Sequence, residues 1–117
     1  MAAVSVGIFG GAFDPPHLGH VELARAGIEQ FALGRLLVRV VEQPGHKAIS
    51  TPAAIRLRLA ELAFAPLPEA VVSLDPFART VDSLEALALP DPVFLVGADE
   101  FTSFLDWKEP DRVLELA

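Results

Sequence analysis

The chain has no cysteine and no tyrosine, and only one tryptophan and one methionine in 117 residues. Without cysteine there is no disulfide framework, no thiolate metal site and no thiol nucleophile. Positive charge is scarce: nine Lys and Arg stand against sixteen Asp and Glu, a formal net charge of −7. That balance argues against a broad nucleic-acid surface, although a small phosphorylated ligand needs only a local positive site. No apolar run is long enough to span a membrane, and the N-terminus lacks a signal-peptide pattern, so a cytoplasmic protein with no membrane partner is the simplest reading. The hydrophobic fraction of 52% and the length of 117 residues suit one domain, residues 1–117, with a real core.

Apolar segments alternate with helical patterns along the chain. Residues 4–9, 36–41, 70–74 and 93–97 read as four strands. Residues 18–32 read as a first helix with Val21, Ala24, Ile28 and Phe31 on one face, and Gly34 suits the position past its end. Thr51 is placed to cap a second helix with Pro52 in its first turn and Ile55, Leu59 and Leu62 on its apolar face. Residues 81–88, 99–105 and 111–117 read as further helical pieces, with Thr80 and Asp99 as caps. Apolar strands separated by helices predict an α/β fold, a Rossmann-like doubly wound parallel sheet covered on both faces. Ligands bind such sheets at the carboxyl ends of the strands.

The loop after the first strand carries the strongest signal. It reads Gly10-Gly11-Ala12-Phe13-Asp14-Pro15-Pro16-His17-Leu18-Gly19-His20 and runs into the first helix. Gly10 and Gly11 allow a ligand close to the backbone. His17 and His20, two of the three histidines, fall on one side of a first helical turn, where amides lack partners and the dipole is positive. Such a place suits phosphate. The plainer reading makes the histidines a cap and a core residue and the glycines a tight turn. Asp14, His17 and His20 could also supply three zinc ligands, but in no familiar spacing. Asp14 itself reads as a residue fixing the loop.

His17-Leu18-Gly19-His20 resembles the HxGH signature of the nucleotidylyltransferase superfamily, and the whole string is far more specific than those four positions. Later segments resemble bacterial nicotinate-nucleotide adenylyltransferases in particular. Gln43-Pro44-Gly45-His46-Lys47 resembles that family's lysine loop, Arg79-Thr80-Val81-Asp82-Ser83-Leu84 its T-x-D-[ST]-L segment, and Gly97-Ala98-Asp99 with Trp107 its GAD…W segment. The resemblance implies adenylyl transfer from ATP, taken with Mg²⁺, to nicotinate mononucleotide, giving deamido-NAD and pyrophosphate. It makes His17, His20 and Lys47 the catalytic residues. It gathers Gly10, Gly11, Phe13, His17, His20, Gly97 and Asp99 around ATP, with Gly97 and Asp99 at the ribose. It gives Lys47 a phosphate contact, puts the backbone near Thr80 against the nicotinate carboxylate and stacks Trp107 on the pyridine ring. Arg56 matches a family arginine, yet a pairing with Glu61 explains it equally.

The family continues with a further strand and an S-[ST]-T-x-[IV]-R segment that this sequence does not match, so the chain reads as lacking a C-terminal strand and helix. The sheet edge beyond strand four then offers a surface for homo-oligomer formation. Pantetheine-phosphate adenylyltransferases and cytidylyltransferases share the first motif, but the segments at Thr80 and at Gly97 to Trp107 argue against both. A non-catalytic nucleotide-binding fragment and a purely structural domain are the other readings.

Overall fold

The structure is a computed structural model that describes residues 4–43 and 50–117, with the backbone alone at Ala98 and Asp99. Four parallel strands, β1 (Val6–Gly11), β2 (Arg35–Val41), β3 (Ala70–Asp75) and β4 (Val93–Leu95), form one sheet in the order β3-β2-β1-β4. Between and after them lie the helices α1 (Leu18–Gln30), α2 (Ala53–Phe64), α3 (Thr80–Leu87), α4 (Ala98–Phe101) and α5 (Pro110–Leu116), with a 3₁₀ turn at Phe104–Asp106. The α/β Rossmann-like sheet expected from the alternation is therefore present. Its order reverses between β1 and β4, which makes the carboxyl end of β1 the switch point where such sheets bind ligands. Among the described residues no helix is long and apolar enough to cross a membrane.

Strand side chains alternate between the two faces. Phe9, Leu36, Val38, Val40 and Leu95 join one core with Ala24 and Ile28 of α1 and Ala60 and Phe64 of α2. Ile8 enters a second, smaller core with Val81 and Leu84 of α3 and Val113 of α5. The second face is not covered throughout, contrary to the expectation. Over β2 and β3 it carries Arg39, Ser73 and Asp75, with Val71 at 47% exposure. Polar residues stand there because no helix of the second core reaches that half of the sheet.

The expected inward face of α1 holds at Val21, Ala24 and Ile28 and departs at Phe31, whereas α2 buries a different face from the one expected. In α1 the inward residues are Ala24, Gly27 and Ile28, while Phe31 is half exposed because the helix ends at Gln30 and the chain turns through Ala32, whose φ is +49°. Gly34 is not a left-handed cap; its amide donates to the Ser5 carbonyl at 2.9 Å. Gly27 is where α1 touches the sheet most closely: a Cβ there would lie 2.6 Å from Cδ1 of Leu95.

In α2 the buried residues are Arg56, Ala60 and Phe64, and Ile55, Leu59 and Leu62 face outward. The helix is turned by one residue, about 100°, because Arg56 belongs inside. Its side chain is only 1% exposed. Nε donates to the Thr51 carbonyl at 2.9 Å, one terminal nitrogen to Ala12 at 3.0 Å and Val41 at 2.7 Å, and the other to Glu42 at 2.6 Å. Arg56 thus directs its donors to backbone rather than to Glu61: it binds the loop after β1, the end of β2 and the approach to α2 together. Thr51 contributes a carbonyl there rather than a cap, and Pro52 holds the N-cap position.

Arg56→Met keeps the length of the side chain but removes every donor, leaving four carbonyls to be satisfied by nothing of the same shape. We expect a loss of about 3–5 kcal/mol, read as a lower urea midpoint, whereas Leu62→Ser on the exposed side should change stability by no more than about 0.5 kcal/mol. Equal midpoints for Arg56→Met and wild type would contradict the clamp.

Candidate functional site

Parallel pairing throughout puts the carboxyl ends of all four strands on one edge, and a two-lobed cleft opens there. Gly10, Gly11, Ala12, Val96 and Glu100 line both lobes and join them. Gly10 has negative φ, so its value lies in space rather than conformation: a Cβ there would have no closer neighbour than the Arg39 carbonyl at 4.0 Å. The floor beside β1 is open to a ligand for that reason. Gly97 is similar, with nothing within 4 Å of a built Cβ.

The first lobe holds the histidines. His17 is the N-cap of α1 in extended backbone, φ −138° and ψ 176°. Its amide donates to Nδ1 of His20 at 3.0 Å, the reach-back half of a capping box. An imidazole that accepts at Nδ1 carries its neutral-form proton on Nε2, so His20 is held as an Nε2–H donor. The two rings stack with centroids 3.7 Å apart at 22°, and His20 also meets the edge of Phe13 at 5.0 Å. Gly19 leaves room for this stack: a Cβ there would lie 2.9 Å from Cε1 of His17, so the ring would have to shift. Phe13, expected around the nucleotide, has a backbone φ of +51° and is only 3% exposed. Its ring sits in the core against Phe9 and Phe64, so it supports His20 and meets the cleft at its margin. Among the described residues no three His, Asp or Glu form a metal-holding group, so Asp14, His17 and His20 do not converge as ligands.

The second lobe is an open depression over the second sheet face. Thr80 and Trp107 both line it. Thr80 is the first residue of α3 and Arg79 its N-cap, so Thr80 is not the cap expected of it. Trp107 is held edge-on by Phe94 at 6.1 Å and Phe104 at 5.0 Å, which fixes the indole at the rim. Lys47 and His46 lie outside the described residues, and so does the side chain of Asp99.

Two lining residues were not anticipated. Arg39 and Asp75 stand at the β3 side of the second lobe, with side-chain exposures of 15% and 6%. The sequence signal was a lone arginine inside Leu36-Leu37-Val38-Arg39-Val40-Val41, a strand read as wholly apolar.

Against known proteins, residues 8–117 match the family model described as cytidylyltransferase-like. The chain belongs to the cytidylyltransferase-like family. It is 40% identical over 121 residues to a probable nicotinate-nucleotide adenylyltransferase of Thermus thermophilus, covering 96% of this chain and 65% of that protein. Proteins of the same name from Albidiferax ferrireducens and Thermomicrobium roseum are 38% and 39% identical, each over 96% of this chain, and it covers 62% and 58% of them. The chain thus spans less than two thirds of the length of these family members.

For this family member, Gly19→Ala should separate site geometry from stability. Alanine favours a helix by about 1 kcal/mol over glycine, so the melting temperature should hold or rise, while the His17 ring must move and its Cε1–H NMR resonance shift. Unchanged histidine resonances would contradict this close approach of the ring to Gly19.

Proposed function

We propose that this chain carries the nucleotide-binding and adenylyl-transfer site of a nicotinate-nucleotide adenylyltransferase: nicotinate mononucleotide plus ATP gives deamido-NAD and pyrophosphate. The observation that carries the reading is the two-lobed cleft at the switch point, with an imidazole pair at a helix start in one lobe and a rim tryptophan beside a second helix start in the other. The names of the relatives support the same reaction.

In this reading the triphosphate lies across Gly10 and Gly11 against the first turn of α1. His17 and the Nε2–H of His20 donate to its oxygens, and the α1 amides add their partial positive charge. The mononucleotide enters the second lobe, its pyridine ring against Trp107 and its carboxylate toward the amides at the start of α3. Its phosphate oxygen then attacks the α-phosphorus of ATP while pyrophosphate departs in line. No protein nucleophile is needed. The chain's work is to align the two phosphates and to stabilise charge on the leaving group. Lys47 and Asp99 are proposed for phosphate and ribose contacts respectively. Mg²⁺ would accompany ATP on the phosphate oxygens, in keeping with the few protein ligands such an ion takes; Asp14 and Glu100 are the carboxylates lining that lobe.

Pyrophosphate release from ATP, Mg²⁺ and nicotinate mononucleotide tests the proposal. His17→Ala and His20→Ala should each lower it by about 100-fold or more with the fold intact by circular dichroism. Binding of both nucleotides without release would limit the chain to nucleotide binding. Failure to bind either would overturn the reading.

A further inference from the structure

Thr80 at the start of α3 and Trp107 both line the second lobe and the depression that adjoins it. The aromatic partners of the indole are Phe94 of β4 and Phe104 of its own turn, and neither belongs to α3. That turn, Phe104–Asp106, has no buried residue. A polar tie to α3 comes instead from the residue after the indole. Nζ of Lys108 donates to both carboxylate oxygens of Asp82, at 3.1 and 3.2 Å, and Asp82 lies in the first turn of α3. The chain then passes through Glu109, whose φ of 47° is left-handed, into α5. Further along, Arg112 of α5 meets Glu85 of α3 at 3.2 Å, and Val81, Leu84 and Val113 pack between the two helices. The docking of α5 therefore has supports of its own, and the Lys108–Asp82 pair acts at the turn that carries Trp107.

A lysine beside an anion-binding lobe suggests direct contact with the ligand. Here its ammonium is already engaged by a carboxylate. Side-chain exposures of 48% and 36% make the pair a minor contributor to stability, so its consequence is geometric. Resting on the proposed function, we propose that Lys108 and Asp82 are positioning residues: their ion pair holds the turn bearing Trp107 at a set distance from the start of α3, and so sets the width of the opening that takes the pyridine ring.

Trp107 is the only tryptophan, so its fluorescence reports both the free wall and binding without turnover. In the free chain, Asp82→Asn and Lys108→Met should each raise the acrylamide quenching constant of the indole. Each should weaken binding of nicotinate mononucleotide by about two- to fivefold, the range of an exposed ion pair. The double variant should bind no more weakly than the poorer single one, because the same interaction is lost only once. ATP affinity by calorimetry should match wild type in all three. Glu85→Gln, which breaks the pair with Arg112, should leave mononucleotide affinity unchanged.

The sign for Asp82→Asn decides. Removing a negative charge beside an anion site tightens binding by Coulomb attraction alone. Equal or tighter mononucleotide binding by Asp82→Asn therefore overturns the inference and leaves the proposed reaction standing. Additive losses in the double variant also overturn it, because Lys108 would then touch the ligand on its own account. An equal loss in Glu85→Gln does the same, because the docking of α5 as a whole would be responsible. Binding of neither nucleotide by wild type overturns the proposed reaction and this inference with it.

Discussion

The cleft depends on a buried arginine that never needs to touch a ligand. Arg56 brings a full charge into the protein interior, where an unpartnered ion is severely penalised. It is tolerated because four backbone carbonyls converge on it from three separate segments. Those segments are the ones that shape the site. Ala12 lines both lobes, Val41 lines the second, and Glu42 directly follows the end of β2. Fixing them relative to α2 fixes the opening between the histidines and the second sheet face. The clamp also sets a positive charge directly behind the cleft wall in a chain whose net charge is −7, which favours anions locally.

The two faces of the sheet divide the labour. One is sealed by α1 and α2, with Gly27 allowing close contact to Leu95 and the aromatic group of Phe9, Phe13 and Phe64 filling the space under His20. This side supplies rigidity, and the histidine stack rests upon it. The other face is sealed only beside β1 and β4. Its open half gives the second lobe a wall of strand residues, Arg39 and Asp75, opposite helix and loop residues such as Thr80 and Trp107. A ligand bridging the lobes would pass over Gly10 and Gly11, where the sheet presents backbone alone.

Much of this was legible in the residues. Alternation of apolar segments and helices gave the parallel sheet, and the position of the glycine and histidine string after the first strand gave the cleft edge. Helix rotation was not legible. Ile55, Leu59 and Leu62 make a regular apolar stripe, and only the burial of Arg56 among carbonyls from distant segments turns it outward. The same blindness to long-range partners hid Arg39, whose neighbours across the sheet are Gly10 and Ser73. Phe13 was legible as part of the loop, but its place beneath His20 depends on a left-handed backbone that phenylalanine seldom adopts.

The proposed function puts two nucleotides in adjoining lobes of one cleft. Amide chemical-shift mapping of the ¹⁵N-labelled chain tests it most directly, with ATP and nicotinate mononucleotide added separately. The account requires ATP to perturb Gly19 and His20, the mononucleotide to perturb Thr80, Ser83 and the Trp107 indole, and Gly10 and Gly11 to respond to both. Perturbation of one common set by both ligands, or of residues away from the strand ends, would contradict it.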